Sequence, residues 1–357
     1  MKQTFVILTV LTTLFLFGCG THPKVAEELP YYTRAETNFQ LDSLSCVEQQ
    51  RADSLTKVVD SFRVVLTEFD QRFREYRRNT MSNEIPDYVD FCEERVPIEN
   101  PDVRERLYQQ LLFMSENQAQ LVMYYMRMLN FFPTIEPMLE EYGMPNDLKW
   151  ICVIESGLKP KALSPANAGG WWQFIAVTGK RFNLDQSAYK DMRSNLIAST
   201  NSAVRYFDTL YAQFGDWALS CGAYNMGENG LARLMTEQGV DSYYDLWLPK
   251  ETEAYLFRAI AAKLILSNPG SYGIMPEKFT EWQRQESDTV TVTVNNRLTA
   301  KFVAGVCGST YRQIRLLNPE LKEGQWEAGK HRITVPVGTR GKLQTALDEL
   351  RKSKKKK

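Results

Sequence analysis

A helix that is apolar on nearly every side has to be buried, and residues 148–157 spell one. Leu148, Ile151, Cys152 and Glu155 fall at i, i+3, i+4 and i+7 and so share a face. Trp150, Val153 and Ile154 make most of the remaining surface apolar too. Asn146 after Pro145 is a suitable N-cap, and Gly157 with Pro160 beyond it a suitable stop. Such a helix demands a shell of further elements around it. Its one discordant residue is Glu155, a carboxyl on the core-facing stripe. Desolvation there raises the pKa and keeps a proton on the group near neutrality, as a general acid requires. A glutamate near a helix end is also commonly a capping or ion-paired residue, and the helix alone leaves both readings open.

The next stretch gives that acid company. Ser164 to Phe174 (SPANAGGWWQF) offers a hydroxyl, a double glycine, two indoles and an amide within eleven residues. Gly169 and Gly170 allow a backbone to pass close to a ligand, and indoles suit stacking on sugar faces.

Four short motifs then stand in order: Glu155-Ser156, Gly170-Trp171-Trp172-Gln173-Phe174, Ala223-Tyr224-Asn225-Met226-Gly227, and Glu251-Thr252-Glu253-Ala254-Tyr255. Together they resemble the ordered motifs of the lytic murein transglycosylases, most closely in order and spacing the membrane-bound D type. The likeness runs over residues 85–272, about half the chain. Two departures stand out. Trp171-Trp172 replaces the commoner leucine or isoleucine and methionine or tryptophan, and Met226 sits where a small or polar residue is usual. Neither removes a group expected to do chemistry. The resemblance implies a mainly α fold: a lysozyme-like all-α catalytic domain over 84–275, preceded by N-terminal helices. It also implies Glu155 as the catalytic acid. Ser156, Ser164, Gln173, Phe174, Tyr224, Asn225 and Tyr255 would hold the substrate or orient the glutamate, with Trp171 and Trp172 walling the cleft or one of these indoles serving only the core. Read by themselves, Tyr224 is equally a core tyrosine and Asn225 equally a helix C-cap.

Ahead of this body, Lys2 precedes an apolar run from Phe5 to Phe17 that ends Leu16-Phe17-Gly18-Cys19. The run is too short to span a bilayer and has the layout of a secretory signal. Leu at −3, Gly at −1 and Cys at +1 resemble a lipobox, so residues 1–18 are expected to be removed and Cys19 lipidated. Gly20 gives no aspartate retention signal, which favours an outer-membrane anchor facing the periplasm. Residues 19–83 then read as a tether followed by one or two amphipathic helices over 41–78, either a stalk or packed on the body. Residues 79–83 read as a linker.

Asn100-Pro101-Asp102 starts a helix with proline at N1. Another is expected over 117–129, ended by Phe131-Phe132-Pro133, and a third over 134–142. Beyond the motif stretch, a helix over 194–214 is broken at Gly215, and Asp216 caps the next, over 217–225. Gly227 and Gly230 release it, and Pro249 starts the last helix of the body. Residues 290–294 and 332–337 alternate like strands, with helical stretches at 298–306 and 311–318 between them. This βααβ order, with Leu316-Leu317-Asn318-Pro319, resembles a LysM peptidoglycan-binding module over 287–340. Asn295-Asn296-Arg297 replaces the usual Gly-Asp-Thr. A last helix, 342–350, runs into the lysine-rich 352–357, read either as a solvated tail or as a contact for anionic polymers.

Lysine plus arginine and aspartate plus glutamate both number 43, so no basic field argues for nucleic acid. Two histidines, His22 and His331, and no Cys-x-x-Cys leave no metal site or cofactor motif in the sequence. Cys152 and Cys221 either behave as small hydrophobes or bridge one another. The expected partners are peptidoglycan glycan strands and, through Cys19, a membrane. Two rival readings stay open. A goose-lysozyme-like hydrolase would need a second carboxylate, for which Asp185, Asp191, Asp208 and Asp216 are available. A non-catalytic wall-binding lipoprotein would need none.

Overall fold

The computed structural model describes residues 34–80, 85–281 and 286–355. The secretory run, Cys19 and the linker residues 81–83 lie outside them. Residues 34–80 form one uninterrupted helix, α1 (Arg34–Thr80), where one or two were expected, and helix continues through residues 79 and 80. Its Leu55, Val58, Phe62 and Val65 are exposed. No helix among the described residues is long and apolar enough to cross a membrane.

The body opens with a short hairpin, β1 (Asp90–Phe91) and β2 (Glu94–Arg95). Helix α2 (Pro101–Glu116) follows, with the Asn100 side chain accepting from the Asp102 N–H and proline at its start. Next comes α3 (Gln118–Glu141), where the structure departs from expectation. Pro133 does not end it, and Pro137 lies inside it too. A proline within a helix costs about 3 kcal/mol. Tyr124, Tyr125 and Phe132 before Pro133, and Ile135 and Leu139 after it, are nevertheless all buried, so a break would forfeit one half of the face. Phe132 meets Trp150 edge-on at 5.2 Å, and Phe131 meets Trp171 at 4.6 Å. Packing outweighs the lost hydrogen bonds.

The organising helix is α4 (Lys149–Ser156), entered through a 3-10 turn at Asn146–Leu148. Asn146 makes no side-chain cap, contrary to expectation. Trp150, Ile151, Cys152 and Val153 are buried as their pattern requires, and Gly157 closes the helix at φ +56°. Fully burying each large apolar side chain contributes about 1.5–3 kcal/mol.

Around it stand α5 (Ala176–Arg181), α6 (Leu196–Phe214), α7 (Trp217–Met226), α8 (Glu228–Gln238) and α9 (Lys250–Ser267). Asp216 caps α7 through its side chain, accepting from the Leu219 N–H at 2.6 Å. Gly227 turns the chain at φ +89°, but Gly230 lies inside α8, a helix the glycines had concealed. The central α9 packs on α2, α4 and α7.

The C-terminal module pairs β3 (Ser287–Val294) antiparallel with β6 (Gly329–Pro336), Val290 opposite Ile333. Between them come β4 (Leu298–Thr299), α10 (Ala300–Cys307), α11 (Tyr311–Leu317) and β5 (Gln325–Trp326), with β4 paired to β5. A last helix, α12 (Arg340–Lys355), takes in residues 352–355 of the lysine run and sends Leu343 and Leu347 into this module's own core, beyond residue 340. The buried apolar residues of 85–274 form a separate core. Cys152 and Cys221 are free and buried, so they do not bridge.

Candidate active site

Glu155 stands in the last turn of α4, where that helix reaches a cleft of about 520 Å³. Its carboxyl is partly reachable from the cleft and otherwise enclosed by protein. Burial pushes its pKa up to about 7, against the weaker opposing pulls of a hydrogen bond from Tyr255 and the charge of Arg258. The Tyr255 hydroxyl, from the second turn of α9, donates to Glu155 Oε1 at 2.5 Å. Tyr255 is itself buried, and burial drives its phenol well up, so it stays a proton donor.

Of the residues singled out in the sequence, Ser164, Gln173, Phe174, Tyr224 and Asn225 line this cleft with Glu155. Tyr224 lies flat on Phe207, rings 4.5 Å apart and 4° from parallel, and its hydroxyl donates to the Trp172 carbonyl at 2.7 Å. Asn225 Oδ1 accepts from the Thr252 hydroxyl at 2.8 Å, which fixes the amide and leaves its N–H groups without a partner among the described residues. Gln173, in the left-handed region at φ +49°, donates to the carbonyls of Gly170 and Ala162 at 2.8 and 3.2 Å. Its side-chain oxygen is left without a partner among the described residues. Ser164 Oγ accepts from the Ala168 N–H at 3.1 Å.

Three expectations fail. Ser156 is buried off the cleft, its hydroxyl donating to the Cys152 carbonyl at 3.1 Å. Trp171 and Trp172 do not wall the cleft; both are core residues. Their indole N–H groups donate to the Ser194 carbonyl at 2.7 Å and the Thr200 hydroxyl at 3.0 Å. Gly169 and Gly170 do not make room for a ligand. A Cβ on either would strike Arg193, at 2.8 Å from its Cζ and 1.9 Å from its carbonyl oxygen respectively. Arg193, nearly fully buried, pairs with Asp191 at 2.8 Å and donates to the carbonyls of Asn167 and Phe174 at 2.8 and 2.9 Å. It is the strut of the loop that presents Ser164, Gln173 and Phe174. No periodic signal marks it in the sequence.

The acidic candidates for a second carboxylate are engaged elsewhere: Asp191 with Arg193, Asp216 at the α7 cap. Asp185 and Asp208 do not line the cleft either. Glu251 does, an exposed residue at the start of α9 whose charge slightly raises the Glu155 pKa. It was legible as the first residue of its motif but carried no assigned role. Among the described residues no group of three or more His, Cys, Asp or Glu could hold a metal ion.

Comparison with known proteins matches residues 133–245 to the family described as the transglycosylase SLT domain. Residues 288–352 match the LysM-like domain of lytic transglycosylase MltD. Membrane-bound lytic murein transglycosylase D of Escherichia coli, in strains K12 and O6:H1 alike, is 28% identical over 255 residues, 70% of this chain and 55% of the relative. The chain thus spans about half the length of the curated relatives it matches. A solved inactive mutant of the lytic transglycosylase Slt from Pseudomonas aeruginosa aligns at a TM-score of 0.32 and 17% identity, covering 41% of this chain and 25% of the other. The chain therefore carries a transglycosylase SLT domain, followed by a LysM-like domain of the MltD type.

Proposed function

We propose that this chain is a peptidoglycan lytic transglycosylase. Its reaction cleaves the β-1,4 bond from N-acetylmuramic acid to N-acetylglucosamine and leaves a 1,6-anhydromuramic end. The observation that carries this reading is one enclosed carboxyl, held protonated to about pH 7 and gripped by a buried phenol, in a cleft lined otherwise mostly by neutral groups. Glu155 donates its proton to the glycosidic oxygen, and the bond to the anomeric carbon breaks. The substrate's own acetamido oxygen assists at that carbon. The 6-hydroxyl then attacks and gives its proton back to Glu155. No water enters, so no second carboxylate has to aim one.

In this reading Tyr255 orients the glutamate. The free amide N–H groups of Asn225, the free amide oxygen of Gln173 and the Ser164 hydroxyl bind the acetamido and muropeptide groups. Phe174 and the ring of Tyr224 shape the wall. Ser156, its hydroxyl committed to Cys152, steadies the last turn of α4 rather than touching substrate.

One observation favours a second reading: Glu251 also lines the cleft, and a hydrolase would use it to activate water. Mass spectrometry of products from purified sacculi decides. Transglycosylation gives muropeptides lighter by one water than the reducing products of hydrolysis. Glu251→Gln should leave that product and its rate within about threefold, whereas loss of a required base costs about 10²–10⁴-fold. Reducing ends from the unaltered chain would sink the transglycosylase reading.

Relatives named as membrane-bound support a place in the cell envelope for this chain. We assign the anchor to a lipid on Cys19, on the periplasmic face of the outer membrane, from the lipobox-like Leu16 to Cys19. Cys19→Ser should abolish incorporation of labelled fatty acid and move the protein from the membrane to the soluble fraction. Unchanged labelling would refute the anchor.

A further inference from the structure

A second cavity, of about 310 Å³, shares no lining residue with the Glu155 cleft. It lies where the residues before α6 meet the C-terminal module. Backbone bonds fix its walls to each other. Asp191 N–H donates to the Glu320 carbonyl and Lys322 N–H to the Tyr189 carbonyl, both at 2.8 Å, making a β-bridge at Lys190 and Leu321. Lys322 Nζ reaches the Ser187 carbonyl at 2.8 Å as well. The site is built, not a gap between loose parts.

Its chemistry is lopsided in an informative way. Glu320 lines the cavity, is only 6% exposed, and has one carboxylate oxygen, Oε2, with no hydrogen-bond partner. A buried acceptor left unpaired costs about 1–3 kcal/mol, more when charged. Asn195 bonds the carboxyl and Lys161 lends a favourable charge, yet burial still wins and pushes the pKa up. Lys190, Lys330 and Arg332 also line the cavity, together with a second carboxylate, Glu327, which accepts from the Ser187 hydroxyl at 3.3 Å; none of the three cations makes an ion pair among the described residues. Met192, Ile197 and Trp326 supply apolar wall. So Glu320 wants a donor, and three cations share the cavity with one further carboxylate, Glu327, that pairs with none of them and leaves positive charge in excess at that end.

We infer that this junction cavity binds a short zwitterionic peptide, its ammonium on Glu320 and its carboxylate among Lys190, Lys330 and Arg332. A neutral sugar would serve Glu320 but leave the cations unmatched. A simple anion would match the cations but oppose Glu320. The volume lies at the lower end of the range for small-ligand sites, about 300–1,000 Å³, and suits a di- or tripeptide. The choice of peptide rests on the proposed action on peptidoglycan, whose stem peptides carry both groups. The site would let the protein hold a stem while the neighbouring cleft works on glycan.

The test is calorimetric titration of the whole chain at pH 7 with L-alanyl-γ-D-glutamyl-meso-diaminopimelate. Saturable binding at one site is expected, weakened about tenfold or more by Glu320→Gln, a loss of about 1.4 kcal/mol per decade. The Lys330→Ala, Arg332→Ala double variant should weaken it comparably and decides the matter if Glu320→Gln fails to fold. Glu155→Gln should bind the peptide as the unaltered chain does. Binding that persists in a chain shown to lack turnover would leave this site standing while removing the proposed reaction. No saturation by roughly 10 mM peptide, or folded junction variants that bind within about twofold of the original, would overturn the inference.

Discussion

Glu155→Gln should lose at least about 10³-fold in the release of anhydro-muropeptides, because the amide can neither give nor take the proton. The same variant should also be the more stable protein at alkaline pH. In the native chain the Glu155 pKa stands at about 7, above its ordinary 4.5, because the ionised form is poorly solvated where it sits. A group whose folded pKa is raised favours folding fully below its unfolded pKa and loses that contribution as pH climbs through the folded one. The window here is about 4.5 to 7, and the whole shift corresponds to roughly 3 kcal/mol at most. Glutamine carries no such slope and can still accept from the Tyr255 hydroxyl. Urea midpoints of the two proteins should therefore agree near pH 4 and separate progressively by pH 8, with the variant ahead. The activity of the native chain should fall along an alkaline limb near pH 7 as the acid loses its proton. Turnover by Glu155→Gln within about tenfold of the original would remove Glu155 from the chemistry.

The enclosure of that carboxyl was readable from the sequence because burial and periodicity speak the same language. A carboxyl at i+7 of an apolar stripe has to be desolvated, and α4 delivers it so. The caps at Asn100 and Asp216 were readable for an equally local reason: both side chains bond a backbone N–H two or three residues on. What failed were the residues whose meaning depends on a distant partner. Pro133 is a helix breaker by every local rule, yet the apolar residues on either side of it share one buried face. Trp171 and Trp172 are equally good as sugar platforms or as core, and only the positions of Ser194 and Thr200 choose core. Gly230 reads like Gly227, but it is helical while Gly227 has positive φ. Glu251 became meaningful only once the start of α9 was seen to border the Glu155 cleft. Arg193 left no trace at all, since its ion pair to Asp191 and its bonds to the Asn167 and Phe174 carbonyls join loop segments that carry no hydrophobic period.

The largest structural effect follows from that same arginine. Gly170→Ala should destabilise the protein by more than the ordinary cost of a left-handed alanine, and should lower activity without touching any residue that contacts substrate. Two separate penalties add. Gly170 sits at φ +80°, a region that costs an L-residue about 1–2 kcal/mol. Its new Cβ would also lie 1.9 Å from the Arg193 carbonyl oxygen and 2.3 Å from the carbonyl carbon, both backbone atoms that no rotamer change can move aside. The loop would have to lift, straining the Gly170 N–H bond to the Ala162 carbonyl and the Arg193 bonds to Asn167 and Phe174. Losing that buried polar network places the total at about 3–5 kcal/mol. Gly143→Ala supplies the control. Gly143 also has a positive φ, +65°, but a Cβ there meets nothing within 4 Å, so it should show the backbone penalty alone. The gap between the two urea midpoints then measures how tightly the Arg193 strut is clasped by the loop that carries Ser164, Gln173 and Phe174. Equal losses in the two variants would mean that this close approach does not hold the loop, and that the cleft owes its shape to something other than Arg193.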